Sequence, residues 1–223
     1  MARFFTLDYV ERVVLHDGTS VLLRLLAPED KPLLRRGFER LSAESRYARF
    51  LVPKQRLTDD ELAYLCDIDQ ENHFALGAIA EAGDGSGDAI GLGIARFIRL
   101  PTRDLEPITA EAAIAVADEA QGRGLGRLLF LRLCAAAAER DIEHFRCEVL
   151  CSNRSMHNLI AAVTPERTVV VDGGVTTIDF AIGSVAPDAP ASTAPDSPMY
   201  RFFRAAAEDV VEWTDAVRRL WRT

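Results

Sequence analysis

The sequence predicts a mixed α/β (α+β) domain, a mostly antiparallel sheet flanked by helices, with a C-terminal amphipathic helix appended. Three observations carry this. Short β-rich runs and helical-period runs follow one another in the order ββ-ααα-βββ-α-β-α-ββ over residues 1–183. A glycine-rich turn, "QGRGLG", joins an apolar strand to an apolar helix. The composition, 48% hydrophobic and 27% charged over 223 residues, is that of a chain with enough apolar surface for one sizeable core.

Val10–Leu15 and Ser20–Leu26 flank His-Asp-Gly-Thr, and Asp-Gly between two β-rich runs predicts a hairpin. A helix opens in "APEDKPLLRRGFERLS": Pro28, Glu29 and Asp30 suit its first turn, and Leu33, Leu34 and Phe38 repeat at helical spacing. Two short helices follow in "SAESRYARF" and "TDDELAYLCDI", each opened by a capping Ser or Thr. The strands "HFALGAIAEA" and "AIGLGIARFIRL" are split by the turn-rich "GDGSGD", and "ITAEAAIAVAD" is the next strand. A long helix spans Gly124 to Arg140, with Gly126, Leu129, Phe130, Leu133 and Ala137 as its buried stripe. "IEHFRCEVL" reads as a strand, "NRSMHNLIAAV" as a helix, and "ERTVVV" with "VTTIDFAI" as a hairpin across Asp172-Gly173-Gly174.

Residues 184–198, poor in large apolar side chains and rich in Pro, Ala, Ser and Asp, read as a linker. Residues 199–223 read as a helix whose apolar positions Met199, Phe203, Ala206, Val210, Trp213, Val217 and Leu220 recur at alternating spacings of four and three. Such a stripe is expected to dock, on its own domain or on a second copy as a homodimer contact.

The formal charge of −8 argues against a nucleic-acid backbone as partner. The cysteines Cys66, Cys134, Cys147 and Cys151 form no CxxC. Cys147 and Cys151 are expected to share one face of a strand, too far apart to bridge. The four histidines do not cluster at metal-ligand spacing, so no metal site is expected. No leader and no apolar run of membrane length is seen, so a cytoplasmic protein is expected.

The glycine turn admits three readings. A P-loop requires Gly-Lys-Ser/Thr, which is absent. A dinucleotide fingerprint would use Gly122 and Gly124 but meets Arg127 where its third glycine belongs, leaving NAD binding weakly supported. The pattern Q-x-x-G-x-G is filled by Gln121, Gly124 and Gly126. A strand ending at Asp118, consecutive amides turned into one hollow and a helix N-terminus at the same hollow make a nest for a pyrophosphate. Arg123 and Arg127 add positive charge to that turn.

With "AEAAIAVADEAQGRGLGRLLFLRL" followed by "CEVLCSNRSMHNLI", the chain resembles the GNAT superfamily of N-acetyltransferases. It looks closest to the bacterial Pat-type protein lysine acetyltransferases, whose domain start is similar to "LRLLAPEDKPLLRRGFERLSAESRYARF". The resemblance, over roughly Val13 to Ile182, implies the GNAT fold with two middle strands splayed around a pantetheine arm, and acetyl-CoA as co-substrate. It implies that Val116, Ala117 and Asp118 pair their main chain with the pantetheine amides. Gln121, Gly122, Arg123, Gly124, Leu125, Gly126 and Arg127 would hold the pyrophosphate, and Asn153 and Met156 would line the cleft. Asn153 is also placed to cap its helix.

Glu111, ten residues before Gln121, matches the family's catalytic glutamate and shares a strand face with Thr109, Ala113, Ala115 and Ala117. In an apolar recess such a carboxylate would have a raised pKa, suited to taking a proton from an ammonium group. Glu148 is the rival base, and a main-chain N–H near Val116 or Ala117 is expected to meet the oxyanion. Many relatives supply a general-acid Tyr after the last core strand, but here no Tyr lies between Tyr64 and Tyr200. The acceptor is expected to be a protein lysine, with a small amine as the alternative. An acyl-CoA sensor without turnover is the competing non-enzymatic reading.

Overall fold

The structure, a computed structural model, describes residues 3–80, 89–102 and 106–185. The expected linker and C-terminal helix, and the "GDGSGD" turn, lie outside the described residues.

The elements are strands β1 (Val10–Val14) and β2 (Ser20–Leu25), helices α1 (Lys31–Arg40), α2 (Ala43–Phe50) and α3 (Asp59–Cys66), strands β3 (His73–Ala80), β4 (Ile90–Arg99) and β5 (Thr109–Val116), helix α4 (Leu125–Ala138), strand β6 (His144–Leu150), helix α5 (Arg154–Val163), and strands β7 (Thr168–Asp172) and β8 (Val175–Ala181). The order matches the sequence reading. The eight strands form one sheet in the order β1-β2-β3-β4-β5-β6-β8-β7, antiparallel throughout except between β5 and β6. The central core stacks Phe74 on Phe97 (5.2 Å between ring centroids), with Phe145, Phe180 and Phe130 continuing across the sheet to α4.

The β5–β6 pair forks. Only Thr109↔His144, Ala110↔Phe145 and Glu111↔Arg146 are paired, although β5 runs on to Val116 and β6 to Leu150. Beyond the fork, β5 stays paired with β4 as far as Val116↔Gly93, and β6 with β8 as far as Leu150↔Val175. Each strand therefore keeps its outer neighbour and loses its inner one, which leaves a wedge open between them.

Three readings need correction. The long helix starts at Leu125, with Gly124 as its N-cap, and ends at Ala138. It is buried almost all round rather than along one stripe, because residues ahead of β1 cover its outer side. Phe4 and Phe5 donate their N–H groups to the Glu139 carboxylate. Arg132 of α4 grips Glu11 of β1 through two bonds of 2.8 and 2.6 Å, with the Tyr9 hydroxyl on the same carboxylate. Finally, Cys151 falls beyond β6: Cys147 is buried in the strand, Cys151 is exposed after it, and all four cysteines are free. No helix among the described residues is long and apolar enough to cross a membrane.

Candidate active site

The wedge between β5 and β6 opens into a cleft of about 600 Å³, bounded by α2 on one side and by the first turns of α4 and α5 on the other. It continues toward the fork as a second chamber of about 260 Å³ that contains Glu111 and Glu148. Ala48, Arg49, Ile114, Asn153 and Met156 line both, so the two are one passage.

Strand alternation decides which main-chain groups face this passage. Ala117 N–H donates to Leu92 O (2.8 Å) and Leu100 N–H to Thr109 O (2.9 Å), so odd-numbered residues of β5 turn their polar groups to β4. Those of Ala112, Ile114 and Val116 face the wedge, where β6 has departed. Ala117 is therefore not a source of free main-chain bonds: its N–H is committed to Leu92, and its carbonyl accepts from Ala120 N–H (2.8 Å). The Val116 carbonyl already accepts from the Gln121 side chain (3.1 Å), which also reaches Asp118 (3.2 Å). Asp118 works through its side chain. It accepts from Ser42 N–H (2.6 Å) and Ser45 Oγ (2.5 Å), tying the start of α2 to the end of β5. Burial opposes the Asp118 charge, but these bonds outweigh it and hold the carboxyl below its ordinary value.

The glycine turn presents a row of donors. Among the described residues, none of the N–H groups of Gly122, Arg123, Gly124, Leu125 and Gly126 has a main-chain acceptor, and the first bond of α4 is Leu128 N–H to Gly124 O (3.1 Å). Gln121, Gly122, Gly124, Gly126 and Arg127 line the cleft beside this helix N-terminus. Arg123 does not. Its guanidinium turns away to Asp17 (2.5 Å) in the β1–β2 turn and braces the glycine loop from outside. Arg127 is half-buried, which disfavours its charge and lowers its pKa. Arg154, at the start of α5, is a second cation on the cleft wall.

The two glycines of the motif do different things. Gly124 has φ +91°, and a Cβ there would meet the His16 ring at 3.3 Å rather than the cleft. Gly126 is helical, and its Cβ would stand 3.7 Å from Val116 Cγ2 and 3.9 Å from Leu159 Cδ2, on the cleft floor.

Glu111 occupies the last paired rung before the fork, with Glu148 two positions beyond its partner Arg146. The expected apolar recess is absent. Glu111 is exposed, and α2 brings the Arg49 guanidinium into the same chamber. Burial lowers the Arg49 pKa while the nearby Glu111 charge opposes that shift. Asn153 Oδ1 caps α5 through Met156 N–H (3.1 Å) while the residue lines both chambers, so its two expected roles coincide.

The wall made by α2 was missed in sequence. It contributes Tyr47, Ala48 and Arg49, and Tyr47 is the one tyrosine lining the passage among the described residues. The spacing of Ser42, Ser45 and Arg49 along one helix side was the available signal.

Residues 37–162 match the model of the acetyltransferase (GNAT) family. The chain belongs to that family. The acetyltransferase PA5475 of Pseudomonas aeruginosa is 30% identical over 149 residues, covering 67% of this chain and 76% of that protein. The GNAT domain of S. lividans PAT superposes with a TM-score of 0.67 at 28% identity, over 77% of this chain and 96% of that one. The yncA acetyltransferase of Salmonella typhimurium, solved with its cofactor acetyl-CoA, shares the fold at 21% identity and a TM-score of 0.57, over 75% of this chain and 98% of that one. The chain is thus an acyltransferase of the GNAT family, similar to the Pat-type members.

Proposed function

We propose that this protein transfers an acetyl group from acetyl-CoA to a primary amine by direct attack, with Glu111 as general base. The observation that carries the reading is the fork itself. It exposes main-chain groups of β5 along one passage that begins at the donor-rich glycine turn and ends at a carboxylate.

In this reading the pyrophosphate rests on the amides from Gly122 to Gly126, with Arg127 and Arg154 alongside. The pantetheine arm lies along β5 as an added strand would, meeting Val116 and Ile114. Glu111 takes a proton from the ammonium group, and the free amine attacks the thioester carbon. A cleft-facing N–H of β5 near the fork meets the oxyanion. Attack forms the C–N bond, collapse of the tetrahedral adduct breaks the C–S bond, and the thiolate takes a proton from Tyr47, the available hydroxyl, which regains one from the nitrogen as that becomes the amide. Arg49 lines the same chamber as the Glu111 carboxylate.

Two acceptor classes fit. A protein lysine follows from the Pat-type resemblance. A small amine is favoured by a small, mostly apolar chamber on the far side of Arg49, described below. Cytoplasmic residence, and a homodimer built through the C-terminal helix, are part of the same proposal.

The test is release of free thiol from acetyl-CoA with a panel of amines and lysine-bearing proteins. Glu111→Gln should reduce turnover by about 10²–10⁴-fold with acetyl-CoA affinity unchanged. The residual rate should rise with pH as more acceptor becomes free amine. Wild-type turnover in this variant would remove Glu111 as the base and pass the role to Glu148 or to solvent.

A further inference from the structure

A third chamber of about 90 Å³ lies between α1, α3 and the sheet, walled by apolar side chains including Leu34, Phe38 and Leu57. At roughly 10–15 Å³ per water-sized site it has room for several heavy atoms. It shares Arg49 and Phe50 as a common wall with the chamber that contains Glu111. Four charged side chains line it. Arg24 and Asp30 neutralise each other through two bonds of 2.6 Å, and Asp30 also accepts Ala27 N–H. Arg49 and Arg96 remain.

Neither of these two arginines has a carboxylate within ion-pair distance among the described residues. Arg96 is buried, 4% exposed, and its partners are neutral: the His73 ring at 3.0 Å and the Leu65 carbonyl at 3.2 Å. Burial and then the neighbouring Arg96 charge push the His73 pKa down to about 4, so the ring carries no charge near neutrality. The Arg49 side chain has no hydrogen bond or ion pair among the described residues and lies 5.1 Å over the Phe50 ring. The two guanidiniums also repel: burial, then the charge of Arg49, bring the Arg96 pKa down to about 9. Two cations held together in a mostly apolar chamber, with no carboxylate in ion-pair contact with either, are costly unless an anion arrives from outside.

We propose that Arg49 and Arg96 bind a carboxylate of the acceptor, so that the acceptor is an amine carrying a carboxylate on an alkyl body. The guanidinium fork matches a carboxylate, and the apolar walls match the alkyl chain. The register supports the span. Arg96 faces Ala113 and Ile98 faces Glu111, so Arg96 and Glu111 are diagonal neighbours on one face of the sheet, about 7–8 Å apart along the backbone. An amine at Glu111 and a carboxylate at the two arginines are then separated by a chain of about five carbons. The inference rests on the amine-acetylation reading and selects the small-amine class within it.

The probes are 6-aminohexanoate, hexylamine and hexanoate. In the thiol-release assay, kcat/KM for 6-aminohexanoate should exceed that for hexylamine by about tenfold or more, the effect of a hydrogen bond to a charged partner. Arg49→Gln should collapse this ratio toward one, and so should Arg96→Met, whose apolar replacement suits the chamber. Equal use of the two amines by the wild-type protein, or a ratio unmoved by both variants, overturns the proposal. Hexanoate binding, followed by calorimetry without acetyl-CoA, separates the two levels. If hexanoate binds and both variants abolish binding while no amine is acetylated, the anion site stands and the transfer reading fails. If amines are acetylated but hexanoate does not bind, or binds equally to the variants, the anion site falls and the transfer reading stands.

Discussion

Replacing each glycine of the turn by alanine should give opposite results at two positions that the sequence motif treats alike. Gly126 has a helical backbone, and the new methyl would make ordinary contacts at 3.7 Å with Val116 and 3.9 Å with Leu159. Nothing in the fold is compressed, and the unfolded chain loses freedom, so Gly126→Ala should stabilise the empty protein by about 0.4–1 kcal/mol. The same methyl stands on the cleft floor beside the unpaired amides of the first turn of α4. A phosphate oxygen must come within about 2.7–3.2 Å of such an amide, and the methyl holds it off. Losing one charge-assisted bond costs about 1.5–3 kcal/mol, or roughly 10–150-fold in acetyl-CoA affinity. At Gly124 the balance reverses. Its φ of +91° strains any other residue, and the methyl presses on the His16 ring at 3.3 Å. Gly124→Ala should therefore destabilise the empty protein by about 1–3 kcal/mol. The assays are thermal melts without ligand and calorimetric titration with acetyl-CoA. A Gly126→Ala protein that melts lower than wild type, or that binds acetyl-CoA as wild type does, would refute the reasoning. So would a Gly124→Ala protein of unchanged stability.

Two further outcomes follow from charges away from the cleft. Glu11→Gln removes the anion that Arg132 and Tyr9 share, taking a two-bond carboxylate partner away from a buried guanidinium. Urea unfolding should show a loss of about 3–5 kcal/mol, with acetyl-CoA affinity unchanged in the folded fraction. The His73 pKa is lowered from 6.5 to about 4 by burial and by Arg96, so between these values the unfolded chain binds a proton that the folded chain refuses. Stability should thus be complete above about pH 6.5 and decline as pH falls toward 4. In thermal melts across that range, His73→Gln should flatten the part of the decline that this ring causes, and an unchanged slope would exclude it.

The order of elements was legible because each rests on a local pattern. Gly18 and Gly173-Gly174 close their hairpins with positive φ, Thr58 caps α3 through Glu61 N–H, and Asn153 caps α5. What covers each element was less legible, because covering is a long-range property. Residues 3–9 have no strong period, yet Phe5 and Tyr9 bury the outer side of α4. The stripe read on α4 was too narrow for the same reason. A helix apolar all round signals burial on both sides, and "LLFLRLCAAAA" is such a run apart from Arg132, whose partner lies 121 residues away in β1.

The site divides along the same line. The glycine turn, Asn153 and Glu111 belong to spacings short enough to read along one segment, and the structure brings them onto one passage. The roles of Ala117 and Arg123 could not be read that way. Whether a strand amide faces its neighbour or an opening depends on which partner the strand keeps, and Ala117 keeps Leu92. Whether an arginine in a phosphate-like turn faces the hollow depends on competing anions, and Asp17 reaches Arg123 from a hairpin 106 residues away. Arg49 was invisible for a related reason. In sequence it is one of two arginines on an amphipathic helix, the ordinary mark of a solvated face. The two chambers it separates are walled by residues of five strands and four helices, and only their assembly leaves its guanidinium between the chamber of Glu111 and the chamber of Arg96 without a carboxylate in ion-pair contact. A missing partner is a property of everything around a residue. That is why the base proposed for this site can be read from a motif, while the feature argued to choose its substrate had to wait for the fold.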